Sequence, residues 1–179
     1  SSRATTALLV PQMLAAIVAA IKGGIAAPRD LRFLAVGGAA VPARLLDAAL
    51  ALGLPVYEGY GLSECASVVA VNRPGQCRTG SVGKPLAHVR VNIARDGEIR
   101  VSGSACIGYL GGSPIEGSVA TGDIGYLDDA GFLHVTGRKK NMFVTSFGRN
   151  VASEWIEQEL TTQPAITQAA VFGEARPFP

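Results

Sequence analysis

A hydroxyl and a carboxylate stand side by side at Ser63 and Glu64, within the sequence GYGLSE of residues 59–64. A carboxylate beside a hydroxyl at the end of a strand can hold Mg²⁺, which binds one or two carboxylates together with substrate phosphates. Glu64 occupies the place of the third glycine in a dinucleotide-binding fingerprint, and Ser63 lacks the glycine frame of a hydrolase nucleophile. The structural alternative is that Ser63 caps a helix and Glu64 lies in its first turn. The hexapeptide by itself leaves both interpretations open.

Asp123, in the sequence TGD of residues 121–123, is a second candidate. An aspartate that follows a glycine on a turn can accept hydrogen bonds from two neighbouring hydroxyls, as a ribose diol requires. A turn-capping aspartate is the alternative, and for this motif in isolation it is the favoured one. Arg138, in the sequence GRKK of residues 137–140, is equally compatible with a solvated position at the end of a hairpin.

The composition excludes several classes of protein. The chain has 179 residues, of which 48% are hydrophobic, and a net charge of +2. A disordered tail is excluded by the apolar content, and the charge gives no reason to expect a nucleic acid or an anionic membrane as partner. The 22 glycines fall in clusters without a fixed period. Such clusters are typical of loops that approach another group closely.

The cysteines and the longest apolar run favour a cytoplasmic protein. Cys65, Cys77 and Cys106 form no CxxC pair, which argues against a zinc site and a disulfide framework and favours reduced thiols. The apolar run over residues 7–21 is too short to span a bilayer. We therefore expect no transmembrane segment and interpret the run as a buried helix.

The apolar spacing predicts elements that would position these residues. A helix is expected over residues 11–22, a strand over 32–36, a helix from Pro42 to Gly53 and a strand over 55–58. A strand, a helix and a second strand in succession form a βαβ unit with parallel strands. Ligands of such sheets gather at the carboxyl ends of the strands, where the glycine clusters of residues 37–38 and 59–61 fall.

The pattern changes twice further along the chain. Short alternating runs punctuated by glycine and aspartate predict hairpins, with strands over residues 89–93, 98–101 and 132–135. After residue 140 we expect a strand over 142–145, a helix over 153–160 and a last strand over 169–172. The chain thus divides into an α/β part (1–79), a β-rich part (80–137), a short connection (138–140) and a further part (141–179).

Six short motifs occur in a fixed order: GGAAV (37–41), YGLSE (60–64), GEIRVSG (97–103), TGD (121–123), Asp128 with Gly131-Phe132, and GR (137–138). This ordered set resembles the adenylate-forming, or AMP-binding, superfamily of acyl-CoA synthetases, firefly luciferase and peptide-synthetase adenylation domains. Residues 137–151 most resemble the fatty acyl-CoA ligase branch. The resemblance covers nearly the whole chain. It implies an α/β fold with the parallel βαβ portion of a large N-terminal domain, a β-rich distorted-barrel subdomain, and the beginning of a small α+β C-terminal domain.

The resemblance also implies residue roles. Gly37, Gly38 and Ala39 would line one side of the adenine, and Tyr60, followed by Gly61, would lie on the purine face. Ser63 would contact the α-phosphate and Glu64 would hold Mg²⁺. Asp123 would bind the ribose hydroxyls and Arg138 would support the same nucleotide. Lys140 matches the hinge position, and Gly148 matches the glycine beside which the pantetheine arm of CoA passes.

The implied reaction is attack of a carboxylate on the α-phosphorus of ATP, followed by capture of the acyl-AMP by CoA. The substrate is expected to be a carboxylic acid of the fatty type, with residues 65–68 and the region of Gly59 in its pocket wall. One alternative is an adenylation domain that loads a carrier protein, and another is a non-catalytic nucleotide-binding module. No serine- and glycine-rich phosphate loop occurs in residues 1–36, and the C-terminal catalytic lysine of the family would lie beyond residue 179. We therefore expect a 179-residue piece of a longer polypeptide that does not adenylate by itself.

Overall fold

Within the residues that the structure describes, two sheets, a two-stranded hairpin and three α-helices make up the fold. The computed structural model describes residues 4–161, 163, 165–166, 168–173 and 176. The elements in chain order are β1 (Thr6–Leu9), α1 (Pro11–Lys22), β2 (Phe33–Val36), α2 (Ala43–Ala51), β3 (Val56–Tyr60), β4 (Ala70–Val71), β5 (Lys84–Pro85), β6 (Arg90–Ile93), β7 (Glu98–Ser102), β8 (Val119–Leu127), β9 (Leu133–Arg138), β10 (Met142–Val144), β11 (Asn150–Ala152) and α3 (Ser153–Thr161).

The first sheet has the strand order β1-β2-β3-β4-β5. β1, β2 and β3 are parallel, as the βαβ pattern predicts, whereas β4 and β5 are antiparallel additions. Helices α1 and α2 cover these parallel strands and share one core with them. That core contains Leu14, Val18, Leu34, Val36, Ala49, Leu54 and Val56, all of which are buried.

The interpretation of residues 7–21 as a single buried helix is wrong in its first part. Thr6–Leu9 is a strand that pairs in parallel with β2, and the helix begins only at Pro11. Val10 is extended, with φ −92° and ψ 160°, because the residue before a proline is disfavoured in the helical region. Proline itself is well suited to the first position of a helix. The proline therefore separates a strand from a helix within one apolar run.

The second sheet is antiparallel, with the strand order β6-β7-β8-β9. Its β6–β7 hairpin agrees with the predicted one, and β9 agrees with the predicted strand over residues 132–135, whereas no strand was predicted at β8. The mixed α/β fold class is confirmed. One buried core joins the two sheets, because Cys65, Val69 and Ala70 pack with residues of the second sheet. Those residues are Ile99, Val101, Val119 and Leu133; Val89, directly before β6, belongs to the same cluster. The end of β3 is thereby held against the strands that follow.

The C-terminal part begins with the antiparallel hairpin β10–β11, followed by α3. The predicted strand over residues 169–172 is wrong, since the structure has no strand there. The backbone N–H of Val171 donates instead to Glu157 Oε1 at 2.8 Å, so a side chain takes the place of a strand partner. Within the described part of the chain, no helix has the length and apolar character needed to cross a bilayer.

Glu58 lies on β3, the central strand of the first sheet, and burial raises its pKa to about 7. The folded state therefore holds a proton that the unfolded state releases near pH 4.5. Unfolding free energy should fall as the pH rises from about 4.5 to 7, by at most about 3 kcal/mol. Glu58→Gln should remove this loss, as urea titrations of the chain at pH 5 and pH 8 would measure. Glu116→Gln, at an exposed glutamate, is the control; equal pH dependence of the Glu58→Gln variant and the unaltered chain would contradict the assignment.

Candidate active site

Two glycine loops lie side by side at the carboxyl ends of β2 and β3. A Cβ added to Gly37 would lie 2.6 Å from the carbonyl oxygen of Gly59, and one added to Gly61 would lie 1.7 Å from that of Ser67. Contacts within the chain itself therefore require glycine at both positions. Beyond Gly37, residues 38 and 39 are exposed at the surface. The parallel strands thus place both glycine clusters at one edge of the sheet, as the sequence predicts.

Ser63 and Glu64 lie in a single 3₁₀ turn, Ser63–Cys65, directly after that edge. The alternative in which Ser63 caps a helix is wrong, because the turn has only three residues and Ser63 is its first residue rather than its cap. Ala66 and Ser67, which follow, have φ values of 55° and 72°. Such left-handed conformations are costly for residues other than glycine, and they cluster at functional sites.

Glu64 is held by the loop that follows β7. The Tyr109 hydroxyl donates to Glu64 Oε1 at 3.1 Å, and the backbone N–H of Cys106 donates to the Glu64 carbonyl oxygen at 2.7 Å. The carboxylate raises the pKa of the Tyr109 hydroxyl through this hydrogen bond. Sequence reasoning missed Tyr109, and a separation of 45 residues offers no local signal for the contact.

Asp123 lies in a bulge inside β8, not on the turn that the sequence suggested. Arg100 pairs with Ala120 and Glu98 pairs with Ile124, so three residues of β8 lie opposite Ile99 alone. The middle one, Gly122, has φ +72°, which glycine adopts without strain. A bulge of this kind redirects a side chain out of the regular alternation of a strand.

The Asp123 carboxylate joins both sheets. Tyr60, the last residue of β3, donates its hydroxyl to Asp123 Oδ2 at 2.6 Å. Arg138, which is paired with Asp123 across β8 and β9, places Nε 2.8 Å from Oδ1. Asp123 is only 4% exposed, so its charge is compensated by these two groups rather than by water. The pKa of the Tyr60 hydroxyl is raised, mainly by burial and secondly by its hydrogen bond to Asp123.

The structure brings three of the expected residues, Tyr60, Asp123 and Arg138, into direct contact. Lys140 is exposed in the 3₁₀ turn Lys139–Asn141, immediately after β9. A cavity of 290 Å³ at this point is lined by Gly122, Arg138, Lys139 and Lys140. Gly148 does not line this cavity; it lies in the turn of the β10–β11 hairpin, where its N–H donates to the Thr145 carbonyl oxygen at 2.9 Å.

The residues around Glu64 fit Mg²⁺ only as a partner of phosphates. Within the described residues, no group of three or more His, Cys, Asp and Glu side chains is arranged to hold a metal ion. Mg²⁺ is commonly held by one or two carboxylates plus substrate phosphates and water, without a cage made by the protein alone. The single carboxylate of Glu64, fixed by Tyr109, is compatible with that mode of binding.

The comparisons with known proteins agree on one family. The model of the AMP-binding enzyme family matches residues 1–110. The long-chain-fatty-acid–CoA ligase FadD15 of Mycobacterium bovis is 42% identical over 149 residues, which are 79% of this chain and 25% of that protein. The 2-succinylbenzoate–CoA ligase of a Geobacillus species is 37% identical over 164 residues, which are 82% of this chain and 33% of that protein.

A solved structure has the same fold. O-succinylbenzoate CoA synthetase (MenE) of Bacillus subtilis, in complex with its acyl-adenylate intermediate, matches with a TM-score of 0.84 and 30% identity, over 94% of this chain and 38% of the other. The chain thus spans a quarter to two-fifths of the length of these relatives. The resemblance inferred from the ordered motifs is confirmed by the family match and by these relatives. This chain belongs to the AMP-binding enzyme family.

Proposed function

We propose that the chain is the nucleotide-binding portion of an AMP-forming acid–CoA ligase. The observation that carries the proposal is the contact of Tyr60, Asp123 and Arg138 at the meeting point of the two sheets. A buried carboxylate flanked by an aromatic ring and a guanidinium offers a ribose-binding group, a surface for a base and a cation for phosphate. The same fold in MenE holds ATP and Mg²⁺ in one solved complex, which supports this assignment.

Asp123 retains the capacity for a ribose diol in this arrangement. A carboxylate has about four hydrogen-bond sites, and the contacts with Tyr60 and Arg138 use two of them. The contacts with Tyr60 and Arg138 leave two sites unused, and in the proposed complex these would accept from the two hydroxyls of a ribose. The Tyr60 ring, fixed by the same carboxylate, would lie on the purine face, with Gly37, Gly38 and Ala39 on the other side of the adenine.

Ser63 and Glu64 would lie at the α-phosphate. The Ser63 hydroxyl would donate to a phosphate oxygen, and Glu64 would hold Mg²⁺ together with the phosphates. When bound, Mg²⁺ neutralises phosphate charge during attack by the substrate carboxylate. Tyr109 and the backbone of Cys106 orient the Glu64 side of this site. Such positioning, with cationic groups near the reacting phosphate, is the main catalytic contribution available to this kind of enzyme.

The residues after Arg138 would allow the small domain to rotate between the two half-reactions. We assign residues 1–79 and 80–137 to the large domain, residues 138–140 to a hinge and residues 141–179 to the beginning of the small domain. Glu154 Oε2 accepts from the backbone N–H of Arg138 at 3.1 Å, and the other oxygen accepts from the Asn141 side chain. These contacts lie on both sides of Lys140, the proposed pivot. Gly148 would border the pantetheine arm of CoA.

The acyl substrate is proposed to be a fatty acid. FadD15, a long-chain-fatty-acid–CoA ligase, is 42% identical to this chain. An aryl acid is the second candidate, because 2-succinylbenzoate ligases also match at 37% identity. Loading of a carrier protein and a non-catalytic nucleotide-binding role are the remaining alternatives.

A cytoplasmic location is proposed because the three cysteines are free thiols. The reducing cytoplasm keeps thiols in this state.

Pyrophosphate release with ATP, Mg²⁺ and a panel of fatty and aryl acids tests the proposal. The assay would be run on the complete gene product and on the 179-residue chain in parallel. We expect release by the gene product with fatty acids, and none by the isolated chain, because residues 1–36 contain no phosphate loop. Pyrophosphate release with aryl acids alone would mean that the substrate is an aryl acid rather than a fatty acid. If the complete gene product released no pyrophosphate with any acid, the non-catalytic nucleotide-binding module would be favoured. Release by the isolated 179-residue chain would refute the prediction that this chain is inactive.

A further inference from the structure

The bulge that presents Asp123 has fewer backbone partners on β7 than it has residues. Residues 121–123 lie opposite the single residue Ile99, so their N–H groups cannot all pair with β7. Gly122, at φ +72°, has no side chain with which to resist rotation. The direction of the Asp123 carboxylate therefore depends on whatever fixes the backbone of this bulge.

Two side chains supply the missing partners. The Thr121 hydroxyl donates to the Ile99 carbonyl oxygen at 2.8 Å and accepts from the N–H of Asp123 at 3.1 Å. The N–H of Gly122 donates to Glu98 Oε1 at 3.1 Å. Thr121 belongs to the bulge itself, whereas Glu98 belongs to β7. Glu98 thus anchors the middle of the bulge to the neighbouring strand.

Glu98 is itself held from the other side. Its Oε2 lies 3.3 Å from Lys139 Nζ, and the side chain is only 9% exposed. Lys139 also pairs with Asp96, at 2.7 Å; these two carboxylates, Asp96 first, raise the pKa of Lys139. A carboxylate at this depth is strongly destabilising unless a cation and hydrogen bonds accompany it. Lys139 follows Arg138 in the chain, so adjacent cations hold Glu98 and Asp123.

We infer that Glu98 is a positioning residue for ribose recognition: it fixes Gly122, and through it the Asp123 carboxylate, and Lys139 keeps it in place. The inference rests on the proposed nucleotide site. Glu98 itself does not touch the nucleotide in this arrangement. Its loss should therefore weaken only those ligands that use the ribose hydroxyls.

The test compares AMP with 2′,3′-dideoxy-AMP, by calorimetric titration of the complete gene product. Glu98→Ala removes the acceptor of the Gly122 N–H, and we expect the Kd for AMP to rise about tenfold, as the loss of a buried hydrogen bond would give. The Kd for the dideoxy nucleotide should change less than about twofold, because it makes no diol contact with Asp123. An equal rise for both nucleotides would mean general destabilisation and would overturn the inference.

Two further variants keep the test independent of folding. Glu98→Gln retains an oxygen that can accept from Gly122 and should restore most of the AMP affinity. Glu116→Ala, at an exposed glutamate outside the bulge, is the matched control and should leave both Kd values unchanged. Unchanged AMP binding by Glu98→Ala, with the unaltered protein preferring AMP to the dideoxy nucleotide, would refute the role of Glu98 alone. No preference in the unaltered protein would refute the ribose site and this inference with it.

Discussion

Lys140→Pro is expected to block thioester formation in the complete gene product by at least about 100-fold, while pyrophosphate release stays within a few-fold of the unaltered protein. Lys140 is the middle residue of the 3₁₀ turn between β9 and β10. Proline fixes φ near −65° and also restricts Lys139, the residue before it. If residue 140 is a hinge, its backbone angles must change between the two half-reactions. Proline would confine these angles to the values of one half-reaction. ATP–pyrophosphate exchange and acyl-CoA formation measure the two steps separately.

Lys140→Ala is the matched control for this experiment. Alanine removes the same side chain but leaves both backbone angles free, so both half-reactions should survive. If proline and alanine affected thioester formation equally, the side chain rather than rotation would be responsible. Equal loss of both half-reactions in the proline variant would show that residue 140 is not a hinge.

Asp123→Ala is expected to raise the KM for ATP by about 10- to 150-fold, because a hydrogen bond to a charged group contributes about 1.5–3 kcal/mol. The substitution removes the proposed acceptor of the ribose hydroxyls. It also removes the group that holds the Tyr60 hydroxyl and the Arg138 guanidinium in place. Steady-state kinetics with varied ATP on the complete gene product would measure the change.

Asp129→Ala provides the comparison for Asp123. Asp129 is an exposed aspartate in the turn between β8 and β9, so its loss should leave the KM for ATP unchanged. Asp123→Asn separates charge from shape, and we expect an intermediate rise because an amide retains one accepting oxygen. A KM for ATP that did not change in Asp123→Ala would remove this residue from the ribose site.

Local sequence patterns determined the scaffold on which these residues lie. The helix over residues 11–22 and the parallel pairing of β2 with β3 follow from apolar spacing and from the order of strands and glycines. The same order places Gly37 and Gly59 at neighbouring strand ends, where the structure has them in contact range. Patterns of this kind can be read because they depend on residues a few positions apart.

Local patterns failed where a proline or a bulge interrupts a regular element. β1 was hidden in an apolar run that continues into α1, and β8 was hidden because its alternation is broken at residues 121–123. The motif TGD favours a turn by its composition. Inside β8 the same three residues form a bulge. The side chains of Glu98 and Thr121 accept from the N–H groups of Gly122 and Asp123, in place of backbone partners on β7.

The sequence by itself predicted the chemical groups of the proposed site, through the order of its motifs: Tyr60, Glu64, Asp123 and Arg138. Only the tertiary structure decided how they are oriented. Tyr60 and Asp123 are 63 residues apart, Tyr109 and Glu64 are 45 apart, and Gly122 and Glu98 are 24 apart. Contacts over such separations depend on how the two sheets pack on their common core, and the spacing of residues along the chain contains no record of that packing.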